Sequence, residues 1–157
     1  MTPNHLLLAI DQSDAGEAAI DFTIGYASLS AAEVTVLHIR ELSPMLRVPP
    51  LESATMAREL VERSVAALRE AGIAATGLIS TAREDAVARR IVDVAIEERC
   101  AGIVLGSFRS RGFHRLTGRG VRERVLRTSH LPVVVAPPAL KYSRRTLSSA
   151  LSHAGRT

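Results

Sequence analysis

The sequence predicts an α/β fold, a five-stranded parallel, doubly wound sheet with about four helices. Three observations predict it. Short runs along the 157 residues are apolar at consecutive positions, as in His5-Leu6-Leu7-Leu8-Ala9-Ile10 and Val133-Val134-Val135, the pattern of strands buried on both faces. Between them lie segments with apolar residues three and four apart, the spacing of helices with one buried face. The two patterns alternate throughout, which requires crossovers and therefore a parallel sheet.

The first strand, His5 to Ile10, ends at Asp11-Gln12-Ser13-Asp14, where Ser13 or Asp14 is placed to cap a helix whose inner stripe is Ile20, Ile24 and Ala27. Glu33 to Ile39 reads as the second strand, with His38 packed within it. Pro44, Pro49 and Pro50 mark a loop of about ten residues. A long helix is expected from about Ser53 to Ala71, with Leu60, Ser64, Val65 and Leu68 on one face and Gly72 as its stop. Ile73 to Ser80 reads as the third strand. Thr81-Ala82-Arg83-Glu84 has capping-box spacing, ahead of a helix with Val87, Ile91, Val94 and Ala95 inward. The fourth strand is Ala101 to Leu105, the fourth helix holds Val121 to Thr128 with a Glu123–Arg127 pair, and Val133 to Val135 closes the sheet.

Composition bounds the chemistry. Hydrophobic residues make up 46% of the chain and aromatics only 3%, so the core is built from Leu, Val, Ile and Ala. The apolar run Leu6 to Ile10 is too short for a signal-peptide core and nothing approaches a membrane span, so a cytoplasmic protein is expected. Cys100 is the only cysteine, which excludes an intramolecular disulfide and the paired-Cys zinc sites; it reads as a small buried hydrophobe. His114 and His130 lack partners at metal-ligand spacing, and no metal site is expected beyond magnesium accompanying a nucleotide.

The net charge of +4 is unevenly spread. Residues 1–105 carry nine arginines against fifteen acids, and residues 106–137 carry seven arginines against Glu123 alone. The tail from 138 adds Lys141, Arg144, Arg145 and Arg156 with no acid. An acidic body with a basic end suits an anionic partner. Few aromatics are present to stack on bases, so specific nucleic-acid binding is not expected. The stretch after the fourth strand carries the strongest functional signal. Gly106-Ser107 opens an arginine-rich, Gly-containing loop that leads into a helix N-terminus, where backbone N–H groups and the helix dipole favour phosphate.

Three segments in this order resemble the universal stress protein family: Leu8-Ala9-Ile10-Asp11-Gln12-Ser13, Val36-Leu37-His38-Ile39, and Gly106-Ser107 through Val121-Arg122-Glu123-Arg124-Val125-Leu126 into Pro132-Val133-Val134-Val135. The resemblance spans roughly residues 4–137 and implies a Rossmann-like, adenine nucleotide alpha hydrolase-like domain over 1–137; residues 138–157, basic and without clear periodicity, are expected to form a flexible tail. In nucleotide-binding members the fourth strand leads into Gly, two residues, Gly, nine residues, then Gly and Ser or Thr. Gly106 matches the first position; Arg109, Arg119 and Gly120 stand at the others. A long side chain at two of those places obstructs the backbone's approach to phosphate. Asp11 matches the acid that contacts the nucleoside, and Ala9 and Ile39 match positions near the adenine. With Gly106, Arg109, Arg119, Gly120 and Val121 they form the candidate site.

Two functions follow from that mixture. In the first, the chain is a non-catalytic, stress-linked regulatory protein acting as a nucleotide-independent interaction module with a degenerate site. In the second, it binds ATP or another adenine nucleotide, with Arg109, Arg111, Arg115 and Arg119 replacing backbone contacts to phosphate. An enzyme is not expected. No nucleophile elbow, Walker loop or paired carboxylates are found, and where pyrophosphatase-type relatives carry Ser-Gly-Gly this chain reads Asp11-Gln12-Ser13-Asp14-Ala15. Family members commonly dimerise through the last strand, and an apolar edge at Val133 to Val135 suits a homodimer.

Overall fold

The computed structural model describes residues 4–42, 52–106 and 120–138. The proline-marked loop, the arginine-rich loop with Arg109 and Arg119, and the basic tail from 139 onward lie outside the described residues. The elements are β1 (His5–Ile10), α1 (Asp14–Ser30), β2 (Glu33–Leu42), α2 (Ala54–Glu70), β3 (Ala75–Arg83), a 3₁₀ turn (Glu84–Ala86), α3 (Val87–Glu97), β4 (Gly102–Leu105), α4 (Val121–Thr128) and β5 (Val133–Val135). The strands form one sheet in the order β3-β2-β1-β4-β5, every pair parallel.

Alternation along β1 divides the core in two. Leu6, Leu8 and Ile10 pack with Val34 and Val36 against Ala19 and Ala27 of α1 and Val61, Val65 and Leu68 of α2. Leu7 and Ala9 pack with Leu37, Ile103 and Leu105 against Val87, Ile91 and Ala95 of α3 and Val125 of α4. Leu7, Leu8 and Leu37 have no exposed surface; burying a side chain of this kind contributes about 1.5–3 kcal/mol. The expected inner faces of α2 and α3 are those observed, with Leu60 only partly buried; of the stripe expected on α1, Ala27 is buried while Ile20 and Ile24 are only partly so.

Four local expectations are corrected. β2 runs on through Arg40, Glu41 and Leu42 because Thr81, Ala82 and Arg83 of β3 pair with them. β3 starts at Ala75, not Ile73, since Ile73 N–H donates to the Leu68 carbonyl at 3.0 Å and completes the exit from α2. Gly72 makes that exit with φ +83°, in the left-handed region that suits glycine. Because Thr81 and Arg83 belong to β3, Thr81-Ala82-Arg83-Glu84 forms no capping box, and one 3₁₀ turn intervenes before α3. Ser13 does occupy the N-cap of α1, but its side chain makes no cap bond. Ser53, by contrast, caps α2 by accepting from Met56 N–H at 3.1 Å.

Candidate functional site

The strand order reverses at β1: β2 and β3 lie to one side, β4 and β5 to the other. In open parallel sheets ligands bind outside the carboxyl ends of the strands at such a switch point. Ala9 sits at its centre, in register with Leu37 of β2 and Leu105 of β4. Asp11 therefore leaves β1 beside the place where Gly106 leaves β4.

Asp11 Oδ1 accepts from the backbone N–H of Ser13 at 2.9 Å and also from the Ser13 hydroxyl. The Ser13 hydroxyl thus orients a carboxylate instead of capping α1. Asp11 Oδ2 has no partner among the described residues, and Asp11, half-buried, lines a cleft of about 270 Å³. Ile10, Ile20 and Leu60 give that cleft apolar walls, and Gln12, Glu59 and Arg63 give it a polar rim. Gly16 brings α1 close enough to touch the strand exit, for a Cβ there lies 2.5 Å from the Asp11 carbonyl oxygen.

Of the remaining candidates, Arg109 and Arg119 lie outside the described residues, while Ala9, Ile39 and Val121 belong to the other face of the sheet. Ala9, 4% exposed, belongs to the core under α3 and α4, and Ile39 and Val121 pack against the same cluster. Gly106 is buried at the end of β4. Ala9, Ile39 and Val121 thus border one core cluster, while Asp11 and Gly106 follow the ends of the neighbouring strands β1 and β4. Gly120 is the N-cap of α4, with φ −61°. Glu123 leans back toward it, as side chains in a first turn do: its Oε2 lies 2.7 Å from where a Gly120 Cβ would stand. Its Oε1 pairs with Arg122 Nη2 at 2.7 Å, so the expected Glu123–Arg127 pair is replaced by an Arg122–Glu123 pair. Backbone N–H donation at Glu123 itself, then the Arg122 guanidinium, hold this carboxyl below the usual range.

Sequence reading missed the parts played by four residues. Gly16 gave no signal beyond being a glycine early in a helix. Gln12 and Glu52 meet at 2.6 Å, Gln12 Nε2 donating to Glu52 Oε1, across forty positions of chain. His38, expected to be merely packed, has Nδ1 3.0 Å from the Ile10 carbonyl and Nε2 2.7 Å from Glu52 Oε2. No group of three or more metal-ligating side chains occurs among the described residues. None of the described helices is long and apolar enough to cross a membrane.

Comparison with known proteins adds to this geometry. A family model described as the universal stress protein family matches residues 3–137. A universal stress protein of Methanocaldococcus jannaschii is 27% identical over 135 residues, covering 83% of this chain and 79% of its own length. Among solved structures, a universal stress protein family member from Burkholderia pseudomallei aligns with a TM-score of 0.68 at 24% identity, covering 87% of this chain and 96% of its own. One from Archaeoglobus fulgidus, solved in complex with dAMP, aligns at 0.64 and 23% identity over 87% and 100%. A third, in complex with cAMP, aligns at 0.69 and 16% identity over 88% and 100%. At these identities the structural matches speak for the fold.

Proposed function

Because this chain belongs to the universal stress protein family, we propose that it is a non-catalytic regulatory protein that binds an adenine nucleotide at the carboxyl ends of β1 and β4. The observation that carries this reading is Asp11. Its Oδ1 is fixed by two Ser13 donors while Oδ2 is left without a partner among the described residues. A carboxylate held in that way is pre-organised to accept from a ribose hydroxyl or an amino group. Ile39 and Val121 on one side, and the apolar walls of the cleft on the other, supply surfaces on which a base can lie. The dAMP and cAMP complexes of two proteins with this fold support the ligand class.

A second reading, a nucleotide-independent interaction module, is favoured by one specific feature: Arg109 and Arg119 stand where nucleotide-binding relatives carry glycine. Calorimetric titration of the full chain with dAMP, cAMP and ATP separates the two. The nucleotide reading expects a micromolar dissociation constant for at least one of them. No heat with any of the three at millimolar concentration would leave the interaction module.

We also propose a homodimer built on β5. This strand is an edge of the sheet, and each of Val133, Val134 and Val135 is only half-buried in the single chain. An apolar edge with no further strand beside it among the described residues is a template for pairing with a second copy. Light scattering after size-exclusion chromatography should give twice the mass of one chain; a single-chain mass throughout the micromolar range overturns the dimer. Membership of the universal stress protein family supports a binding role, and no turnover of ATP is expected.

A further inference from the structure

The end of β2 carries an arrangement that ligand contact alone does not require. His38 is buried, its Nδ1 3.0 Å from the Ile10 carbonyl oxygen and its Nε2 2.7 Å from Glu52 Oε2. The other oxygen of Glu52 accepts from Gln12 Nε2 at 2.6 Å, and its backbone carbonyl accepts from Arg40 Nη2 at 3.1 Å. One residue thus fastens together the exit of β1, the end of β2 and the approach to α2, where Ser53 is the N-cap. Two of the tied residues, Ile10 and Gln12, line the cleft and flank Asp11.

Counting hydrogens gives this knot a condition. A peptide carbonyl only accepts, so His38 Nδ1 carries a hydrogen. A neutral ring then presents a bare Nε2 to Glu52 Oε2, and two acceptors at this distance repel. The contact is a bond only when the pair holds one more proton, either on Nε2 facing a carboxylate or on Glu52 facing a bare nitrogen. Arg40 projects from β2 onto the backbone carbonyl of the same residue and so helps to hold Glu52 beside the ring. The other charged groups around the cleft are Asp11 on the β1 exit, Glu17 on α1, and Glu59 and Arg63 on α2.

We propose that His38 and Glu52 are positioning residues whose shared proton sets the rim of the ligand cleft. While the proton is held, Glu52 stays on the ring and holds Gln12, and through it the Asp11–Ser13 segment. When it leaves, carboxylate and bare nitrogen separate and Gln12 loses its acceptor. Ligand affinity then carries a dependence on pH that originates in the protein. This inference rests on the reading of the cleft as part of an adenine-nucleotide site.

Two measurements on the full chain test it. In ligand-free protein, imidazole nitrogen spectra followed against pH should show the His38–Glu52 pair losing its shared proton, with the Gln12 side-chain amide moving along the same curve. A Gln12 amide that ignores the His38 transition overturns the proposal. Adenosine, which has no phosphate of its own to titrate, is then used as the probe beside dAMP. Affinity of the wild-type protein should fall roughly fivefold to tenfold across the His38 transition, a coupling of ordinary size. Glu52→Gln supplies an amide donor that bonds a neutral ring without the extra proton, so its affinity should be flat over that range. Glu52→Ala should be weak at every pH. Identical pH profiles for wild type and Glu52→Gln overturn the proposal. Absence of binding by both probes at every pH sinks the nucleotide reading instead, and the Gln12 amide alone then decides the His38–Glu52 pair.

Discussion

The carbonyl oxygen of Asp11 fills the space that a side chain at Gly16 would need, leaving only 2.5 Å to an added Cβ. The first turn of α1 and the exit of β1 are therefore set against each other by the lack of one carbon atom. Gly16→Ala should force them apart, at a cost of about 1–3 kcal/mol for overpacking against backbone. Denaturant unfolding should report that loss. Nucleotide affinity should fall further than stability predicts, because Asp11 moves with its carbonyl.

Asp11 itself should divide binding from folding. Asp11→Asn keeps an acceptor for Ser13 but removes the charge, and hydrogen bonds to charged groups contribute about 1.5–3 kcal/mol. A loss of about tenfold or more in dAMP affinity is expected, with the unfolding midpoint close to wild type. Ser13→Ala should have a smaller effect on the same affinity, since the backbone N–H of Ser13 still holds Oδ1 at 2.9 Å. Calorimetry on both variants checks the order; Ser13→Ala as damaging as Asp11→Asn would contradict it.

Arg109 and Arg119 should limit the phosphate end of the ligand. Long side chains at positions where relatives use glycine keep the backbone from approaching phosphate closely. ATP is therefore expected to bind no more tightly than dAMP. Replacing both arginines with glycine should improve ATP affinity by about tenfold, the scale of one charge-assisted contact, while leaving adenosine affinity unchanged. A weaker ATP complex in that double variant would instead make the arginines phosphate ligands.

Cys100 gives a prediction in alkaline pH. Burial first, and the charge of Glu98 second, push its thiol up to about 11. An unfolded thiol ionises near about 8.5, so the native state holds the proton more tightly than the unfolded one. The sign follows: this contribution to stability is complete below the unfolded value and is lost as pH rises toward the folded one. Thermal melts at rising alkaline pH should fall more steeply for wild type than for Cys100→Ala. At neutral pH the 5% exposed, protonated thiol should react with alkylating reagents only as fast as the chain opens.

Much of this architecture is legible in the chain because it is local. Leu6 to Ile10, Ile103 to Leu105 and Val133 to Val135 announce strands by unbroken apolar character, Val34 to Leu37 does so interrupted only by Thr35, and Val87, Ile91, Val94 and Ala95 announce the inner face of α3. The extensions of β2 and β3 are not legible. Arg40, Glu41, Thr81 and Arg83 are polar, and they become strand only because they find each other across the sheet. The site divides along the same line. Asp11 and Gly106 are marked by their place at strand ends, whereas the His38–Glu52 and Gln12–Glu52 contacts join residues far apart in the chain and have no periodicity to betray them. Ser13 was legible as a position but not as a role, since a cap and an Asp11 partner call for the same residue type.

The central place of β1 has a consequence for the order in which the molecule is made. Its partner on one side, β2, and the β3 that pairs with β2 in turn both precede α3 in the chain, together with α1 and α2. Its partner on the other side, β4, emerges about ninety residues later. During that interval Leu6 and Leu8 are already covered by helices, while Leu7 and Ala9 wait for α3, β4 and α4. The nascent domain is one-sided, a finished surface backed by a sticky one, and that is the stage at which it is exposed to association. Stalled chains ending after β3 should capture hydrophobic dye and holdase chaperones, and those ending after β5 should release both.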